Sequence, residues 1–331
     1  MYTKTKGIRF TNLAIRLVQN YSTSCKASIS SSPVRMDEIM EVCDTLTVLR
    51  DGKIIRTFEK AEFEAGAIRA SMIGRELQGD YYRSDFQASS QPEVALDVRN
   101  LVYEDRLKGI SFQVHKGEIV GIGGLAHCGM HSLGKVCFGA LKPEEGSVTV
   151  EDGTIIDSPA IAMKKRVGYV SKDRDVESLC LNASIEDNIS IAGMSEFAIN
   201  NFLILKNREK KYVNHQIEEL SIKCAGRDQS VSQLSGGNKQ KVVFGKWIGC
   251  GSEILILDCP TRGVDIGVKQ AMYQLMVRLK NEGKSILMIS EELPELIGMS
   301  DRILIMKNGE VSAEFERSET LSDAQIIEYM I

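Results

Sequence analysis

The sequence predicts an α/β fold whose sheet core carries a smaller helical part, and three stretches of the 331 residues predict it. Residues 117–124 read as a strand entering a Gly-rich turn. Residues 254–258 are an unbroken apolar run that ends on a carboxylate. Residues 234–237, Leu-Ser-Gly-Gly, open an amphipathic helix.

Taken along the chain, Gly117-Glu118-Ile119-Val120-Gly121-Ile122-Gly123-Gly124 is followed by a helix that starts near Met130. A phosphate loop belongs at such a place, because glycines let backbone N–H groups close on an anion and the helix dipole favours its charge. Gly124 and Gly129 meet the spacing of that loop, but Met130 and His131 stand where it carries Lys and then Ser or Thr. No ammonium then reaches the β- and γ-phosphates and no hydroxyl meets Mg²⁺, so the backbone nest and the helix N-terminus remain. A Gly-rich turn that binds nothing is the alternative reading.

From about residue 182 to 233 the pattern is richer in helix, and the run that follows, Leu234-Ser235-Gly236-Gly237-Asn238-Lys239-Gln240-Lys241, begins a helix. Its Ser and two Gly offer backbone N–H groups to a phosphate, and an ordinary capped helix start is the alternative. Ile254-Leu255-Ile256-Leu257-Asp258 reads as a parallel strand buried on both faces, with Asp258 at the carboxyl end where ligands collect. A loop follows at 259–265. A helix then spans about 266–281, with Met272, Leu275, Met276 and Leu279 on one face.

In this order these segments resemble the second nucleotide-binding domain of an ABC transporter ATPase, a P-loop NTPase-type α/β domain with a mixed sheet core and an α-helical subdomain. More narrowly they are similar to the tandem ATPases of monosaccharide importers of the ribose, xylose and galactoside type. The narrow match rests on Asn238-Lys239-Gln240-Lys241, on Thr261-Arg262-Gly263-Val264-Asp265, and on Ile289-Ser290-Glu291-Glu292-Leu293-Pro294-Glu295 followed by Gly298-Met299-Ser300-Asp301-Arg302. It covers about residue 35 to the carboxyl end.

The resemblance implies ATP and Mg²⁺ as cofactors. Gly124, Gly129, Met130, His131 and Ser132 would frame the phosphates, Asp258 would be the catalytic and metal-organising carboxylate, and Asp265 would lie in the loop that contacts the opposite half. Tyr103 is placed to stack on adenine or, alternatively, to pack between two short strands. The signature Leu234, Ser235, Gly236 and Gly237 would complete a partner's ATP site, because such domains pack head to tail. Several positions depart from an active ATPase. Cys259 stands where a catalytic carboxylate would follow Asp258, and a thiol is a poor general base beside Mg²⁺. Glu291 replaces a γ-phosphate-sensing His, and Lys172 replaces a Gln or Glu that would face the metal. With Met130 and His131, these changes put hydrolysis by this chain alone in doubt. The implied function is a truncated ATP-binding subunit of a sugar importer, coupling ATP binding and hydrolysis to carbohydrate transport. The alternative is a catalytically silent remnant or regulatory module. Implied partners are a second ABC ATPase domain or subunit, a transmembrane permease and, indirectly, a periplasmic or extracellular sugar-binding protein. The implied place is peripheral, on the cytoplasmic face of the cell membrane.

The chain also repeats itself. Residues 36–53 align without a gap on 293–310, each copy reading as a helix, a strand, a turn at Asp51-Gly52 or Asn308-Gly309, a second strand and a short closing helix. The domains expected are therefore an unassigned segment 1–34, disordered or non-native, a remnant of a first ABC ATPase domain at 35–77, a linker at 78–93, and a second ABC ATPase domain at 94–331 with its helical subdomain at about 182–245. Residues 1–34 carry Lys4, Lys6, Arg9, Arg16 and Lys26 and no acid, and a frame-shifted or truncated start, an organellar transit peptide and plain divergence are the three readings of that segment.

Composition narrows the partners. A formal net charge of −4 argues against nucleic acid, because binding a phosphate backbone takes clustered excess Lys and Arg. The dense basic run from Lys206 to Lys211 reads as a solvated helix face. Eight cysteines with no CxxC pair suit reduced thiols, with Cys128 and Cys259 in the expected nucleotide site. No apolar run approaches spanning length, so a membrane role calls for a separate permease.

Overall fold

The computed structural model describes residues 13–21, 25–29, 40, 43–50, 53–73, 81–199 and 203–331. The chain divides into two compact units, Met1–Tyr81 and Tyr82–Ile331.

The first unit holds a four-stranded antiparallel sheet of β1 (Leu13–Tyr21), β2 (Cys25–Ile29), β3 (Thr45–Arg50) and β4 (Lys53–Glu59), in the order β2-β1-β3-β4, followed by helix α1 (Ala65–Ile73). Strands therefore occupy parts of the segment 1–34 expected to be disordered. The sequence Leu13-Ala14-Ile15-Arg16-Leu17 alternates with the period of a strand, and β1 pairs with β3 from Leu13↔Arg50 to Val18↔Thr45. The remainder of 1–34, and the turn expected at Asp51-Gly52, lie outside the described residues. Leu46, Val48, Phe58 and Ile68 form this unit's buried apolar cluster.

The second unit begins with an antiparallel sheet of β5 (Val94–Tyr103), β6 (Leu107–His115) and, after the central strand β7 (Ile119–Gly124) and helix α2 (Met130–Cys137), β8 (Glu145–Val150). Helix α3 (Pro159–Lys164) leads into β9 (Val167–Val170). The helical part comprises α4 (Ile185–Ser190), α5 (Met194–Phe197), the two-residue strands β10 (Ala198–Ile199) and β11 (Leu203–Ile204), α6 (Lys206–Glu219) and α7 (Gly236–Gly249). The chain then returns to the main sheet with β12 (Ile254–Asp258), α8 (Ile266–Asn281), β13 (Ser285–Ile289), α9 (Leu293–Met299), β14 (Arg302–Lys307), β15 (Glu310–Glu316) and α10 (Asp323–Ile327).

The main sheet has the order β15-β14-β7-β13-β12-β9, parallel throughout except for the edge strand β15. Every residue of β7, β9, β12 and β13 is buried, as near-continuous Val, Ile and Leu in strands covered on both faces demands. In the helical part Ile185, Ile189, Val213, Val242 and Phe244 are fully buried, and the rings of Phe197 and Tyr212 meet at 5.3 Å. Lys206, Arg208, Lys210 and Lys211 are exposed on α6, the solvated face expected of that basic run.

The polar segment expected as a linker is held down from Tyr82 onward. Arg83, 7% exposed, donates to Asp301 Oδ1 at 2.9 Å, and Lys280 Nζ donates to the Ser89 carbonyl at 2.5 Å and forms an ion pair with Asp301 Oδ2 at 3.1 Å. Asp301 also accepts from the backbone N–H of Ile119 at 2.8 Å, so this carboxylate fixes the entry to the central strand.

The internal repeat survives in the register. The β3/β4 ladder runs from Thr45↔Glu59 through Leu46↔Phe58 to Arg50↔Lys53, with an irregularity between Val48 and Leu49. The β14/β15 ladder runs from Arg302↔Glu316 through Ile303↔Phe315 to Lys307↔Glu310, with its irregularity between Ile305 and Met306. Each pair, bulge included, maps onto its counterpart at one constant offset. A bulge is a specific departure from ladder geometry, so its recurrence at the same aligned position marks one supersecondary unit used twice.

Candidate functional site

The central strand β7 delivers the Gly-rich turn to the middle of the parallel sheet, at the carboxyl ends of the strands, where open α/β sheets gather ligands. Its glycines are needed for close approach. A Cβ on Gly124 would run into the Met306 carbonyl and the Cys128 sulfur, and one on Gly129 would run into the Arg106 carbonyl. Gly129 has φ +101°, in the left-handed region, and caps α2, whose first residue is Met130. The turn borders a cavity of about 230 Å³ lined by Arg106, His127, Cys128, Gly129, Met130, His131 and Ser132.

The side chains at this turn face away from a phosphate's needs. Met130 is buried at 2% exposure, packed inward where a cation would have to project. Ser132 is buried and accepts from Arg106 Nη1 at 3.4 Å. His131 instead turns to the end of β12. Its Nδ1 lies 2.7 Å from Asp258 Oδ1, and Lys172 Nζ donates to its Nε2 at 3.1 Å. With Nε2 accepting, Nδ1 carries the hydrogen given to Asp258; this tautomer is assigned from the network. Lys172 also donates to Glu291 Oε1 at 2.6 Å, and Glu291 Oε1 lies 3.4 Å from His131 Nε2. The hydrogen bond from Lys172 holds the Glu291 carboxyl below the usual carboxylate range.

Asp258 is fully buried and takes a second hydrogen bond, from the Tyr169 hydroxyl at 3.2 Å. Burial, reinforced by the Asp258 charge, pushes the Tyr169 phenol up, so it stays a donor. Cys259 follows with φ +48°, its N–H donating to the Ile289 carbonyl at 2.9 Å, and burial first and Asp258 second push its thiol up. Such a thiol is a poor base. The clustered ligand groups are an imidazole, a thiol and a carboxylate already engaged twice, and that set does not fit the hard oxygen shell of Mg²⁺.

The other phosphate-type element sits on its own support. Ser235 caps α7, its exposed side chain accepting from the Asn238 backbone N–H and from Asn238 Nδ2 at 3.0 Å. Leu234 is buried beneath it, and a Cβ on Gly237 would collide with Val268 of α8. None of residues 234–241 belongs to the lining of the cavity at the Gly129 turn. Asp265 caps α8 by accepting from the Val268 N–H at 3.0 Å, and it is exposed. Tyr103 closes β5 half-exposed, its carbonyl accepting from the Arg106 N–H at 3.1 Å.

Arg174 carries no role that its sequence position suggests. Its Nη1 donates to the Arg262 carbonyl at 2.7 Å and to Gln240 Oε1 at 3.3 Å, so one half-buried guanidinium ties the loop after β9, the loop after β12 and helix α7 together. Lys239 of the same helix pairs with Asp175 at 2.9 Å. Glu295 was likewise missed as a hub. It is buried and accepts from Thr261 Oγ1 at 2.6 Å and from Ser290 Oγ, fastening the loop after β12 to α9. Only an Arg four residues after β9 and a Glu directly after a Pro could have hinted at either.

Residues 107–262 match the family model described as ABC transporter. The chain is 37% identical over 298 residues to the ribose import ATP-binding protein RbsA of Clostridium tetani, covering 90% of this chain and 58% of that protein. It is 41% identical to the protein of the same name from Streptococcus agalactiae, covering 86% and 57%. The chain thus spans well under two thirds of the length of the curated relatives it matches. Among solved structures, a dimeric post-hydrolysis ATP-binding cassette bound to ADP and Pi aligns with TM-score 0.58 at 20% identity, over 67% of this chain and 98% of that one.

Proposed function

We propose that this chain, whose residues 107–262 match the family model described as ABC transporter, acts as an ATP-binding subunit of an ABC-type sugar importer. In this reading it couples ATP binding and hydrolysis to carbohydrate transport through a separate permease, and residues 234–237 complete the ATP site of a partner ABC domain. Relatives named for ribose import and a dimeric cassette of the same fold support the assignment. Among the described residues no helix is long and apolar enough to cross a membrane. In the reading taken from those relatives, the chain sits peripherally, on the cytoplasmic face, against a transmembrane partner served by a sugar-binding protein. Residues 35–77 are read as a second copy of the closing hairpin and helix of such a domain, a reading supported by the matching registers of β3/β4 and β14/β15.

One contrast carries the reading. The exposed Ser235 caps the start of a 14-residue helix, whose first N–H groups have no partner within the helix, whereas Met130 is buried and His131 is spent on Asp258. The chain's own phosphate turn would then bind ATP weakly or not at all, and its role would lie across the dimer. The closed network of His131, Asp258, Lys172 and Glu291 favours a second reading, a silent module that keeps the fold without assembling. Labelled ATP titrated onto the chain mixed with an ABC ATPase domain that has an intact phosphate loop separates the two. The first reading expects tighter ATP binding in the mixture than in either part, lost on Ser235→Arg. Equal binding with wild type and Ser235→Arg would leave only the silent module.

A further inference from the structure

Three metal-ligating side chains of different kinds converge at the end of β12. His131 comes from the first turn of α2, and Asp258 and Cys259 close β12 and begin its loop. One ligand atom from each lies within 4.8 Å of the other two. Asp258 and Cys259 are buried, and the His131 side chain, 32% exposed, forms the open wall.

We propose that this cluster is a binding site for a borderline-soft divalent cation, Zn²⁺ foremost, held by Nδ1 of His131, a carboxylate oxygen of Asp258 and the thiolate of Cys259. Zn²⁺ bonds to N, O and S at about 2.0–2.3 Å, so one ion can bridge these atoms after a small rotation of the half-open imidazole. Thiolate and imidazole select such an ion over Mg²⁺ or Ca²⁺. Three protein ligands leave a fourth, water-filled position towards the cavity at Gly129.

The surroundings suit the ion as well. The Tyr169 hydroxyl, 3.2 Å from Asp258 Oδ2, orients the carboxylate. On metal binding the imidazole exchanges its Nδ1–H for an Nε2–H; Lys172 Nζ, which donates to Nε2 at 3.1 Å in the metal-free chain, must then release the ring while keeping its bond to Glu291 Oε1, and Nε2–H donates to that same carboxylate, now 3.4 Å away. A carboxylate behind a ligating imidazole is the usual device that fixes tautomer and ring. The Cys259 thiol gives its proton to solvent, the ring's proton count is unchanged, and nothing is oxidised or reduced. Binding requires neither nucleotide nor permease, so it stands or falls apart from the transport reading.

Co²⁺ reports the site directly, because a thiolate on Co²⁺ gives a near-ultraviolet charge-transfer band. The full chain, stripped with chelator, is titrated with Co²⁺ and then with Zn²⁺. We expect a thiolate band that saturates at one Co²⁺ per chain, disappears on added Zn²⁺ but not on excess Mg²⁺, and is lost in Cys259→Ser. His131→Ala, checked for folding by its far-ultraviolet circular dichroism, should weaken Co²⁺ binding by about tenfold or more. No thiolate band in the wild type, or a band undiminished in both variants, would overturn the assignment.

Discussion

The imidazole of His131 donates through Nδ1 to Oδ1 of Asp258 at 2.7 Å, although the two residues stand 127 positions apart in sequence. This one bond joins the first turn of the helix after the central strand β7 to the carboxyl end of β12, across the intervening strand β13. It spends both groups on each other, and Lys172 and Glu291 close the ring around them.

Gly129 should be the least replaceable residue of the turn. Gly129→Ala combines a φ of +101° with a collision against the Arg106 carbonyl, so a loss of at least about 1–3 kcal/mol is expected. Gly153, at φ +77° with nothing near its missing Cβ, serves as the control, and Gly153→Ala should cost only about 1 kcal/mol. Denaturant unfolding of both variants measures the difference.

Asp301 should matter more to stability than any exposed acid. It is 2% exposed and receives Arg83, Lys280 and the Ile119 N–H, so Asp301→Ala leaves the buried Lys280 ammonium without its carboxylate and Arg83 with Asp85 alone. A loss of about 3–5 kcal/mol is expected in urea unfolding. Its counterpart in the repeat, Asp44, is exposed, and Asp44→Ala should change stability by less than about 1 kcal/mol.

The pH dependence of the Lys172–Glu291 pair has a definite sign. A carboxyl whose folded pKa is lowered contributes stability above its unfolded pKa and loses it as pH falls through the folded one. Melting temperatures of wild type and Glu291→Gln should therefore differ at neutral pH and converge in acid, below an unfolded Glu pKa of about 4.3. Because the side chain is nearly half exposed, the gap should shrink with added salt.

The thiols should react in an order set by burial. Cys180 is exposed, whereas burial raises the pKa values of Cys128, Cys137 and Cys259, with Cys137 pushed up to about 12. Brief alkylation of the native, metal-free chain followed by peptide mass mapping should mark Cys180 well before Cys259. Equal labelling of the two would contradict the packing at the end of β12.

Much of this was legible in the sequence because it is local. Helix α8 spans the 266–281 expected from its apolar stripe, α2 starts at Met130 after Gly129, and Asp258 lies at the end of a fully buried strand. The repeat was legible too, and the shared bulge position strengthens it. What stayed hidden depends on tertiary approach. Met130 and His131 read as missing contributions, and no period or spacing could reveal that His131 swings to Asp258 or that Lys172 bridges it to Glu291. The role of Arg174 was hidden for the same reason, since its acceptors lie 66 and 88 positions away. Strands β1 and β2 were missed because basic, Ser-rich composition outweighed a short period-two run.

ATP turnover by the purified chain alone tests most directly whether its own phosphate turn is inactive. With saturating ATP and Mg²⁺, hydrolysis should stay at the buffer background and be unchanged by Asp258→Asn. Steady turnover that Asp258→Asn abolishes would contradict it.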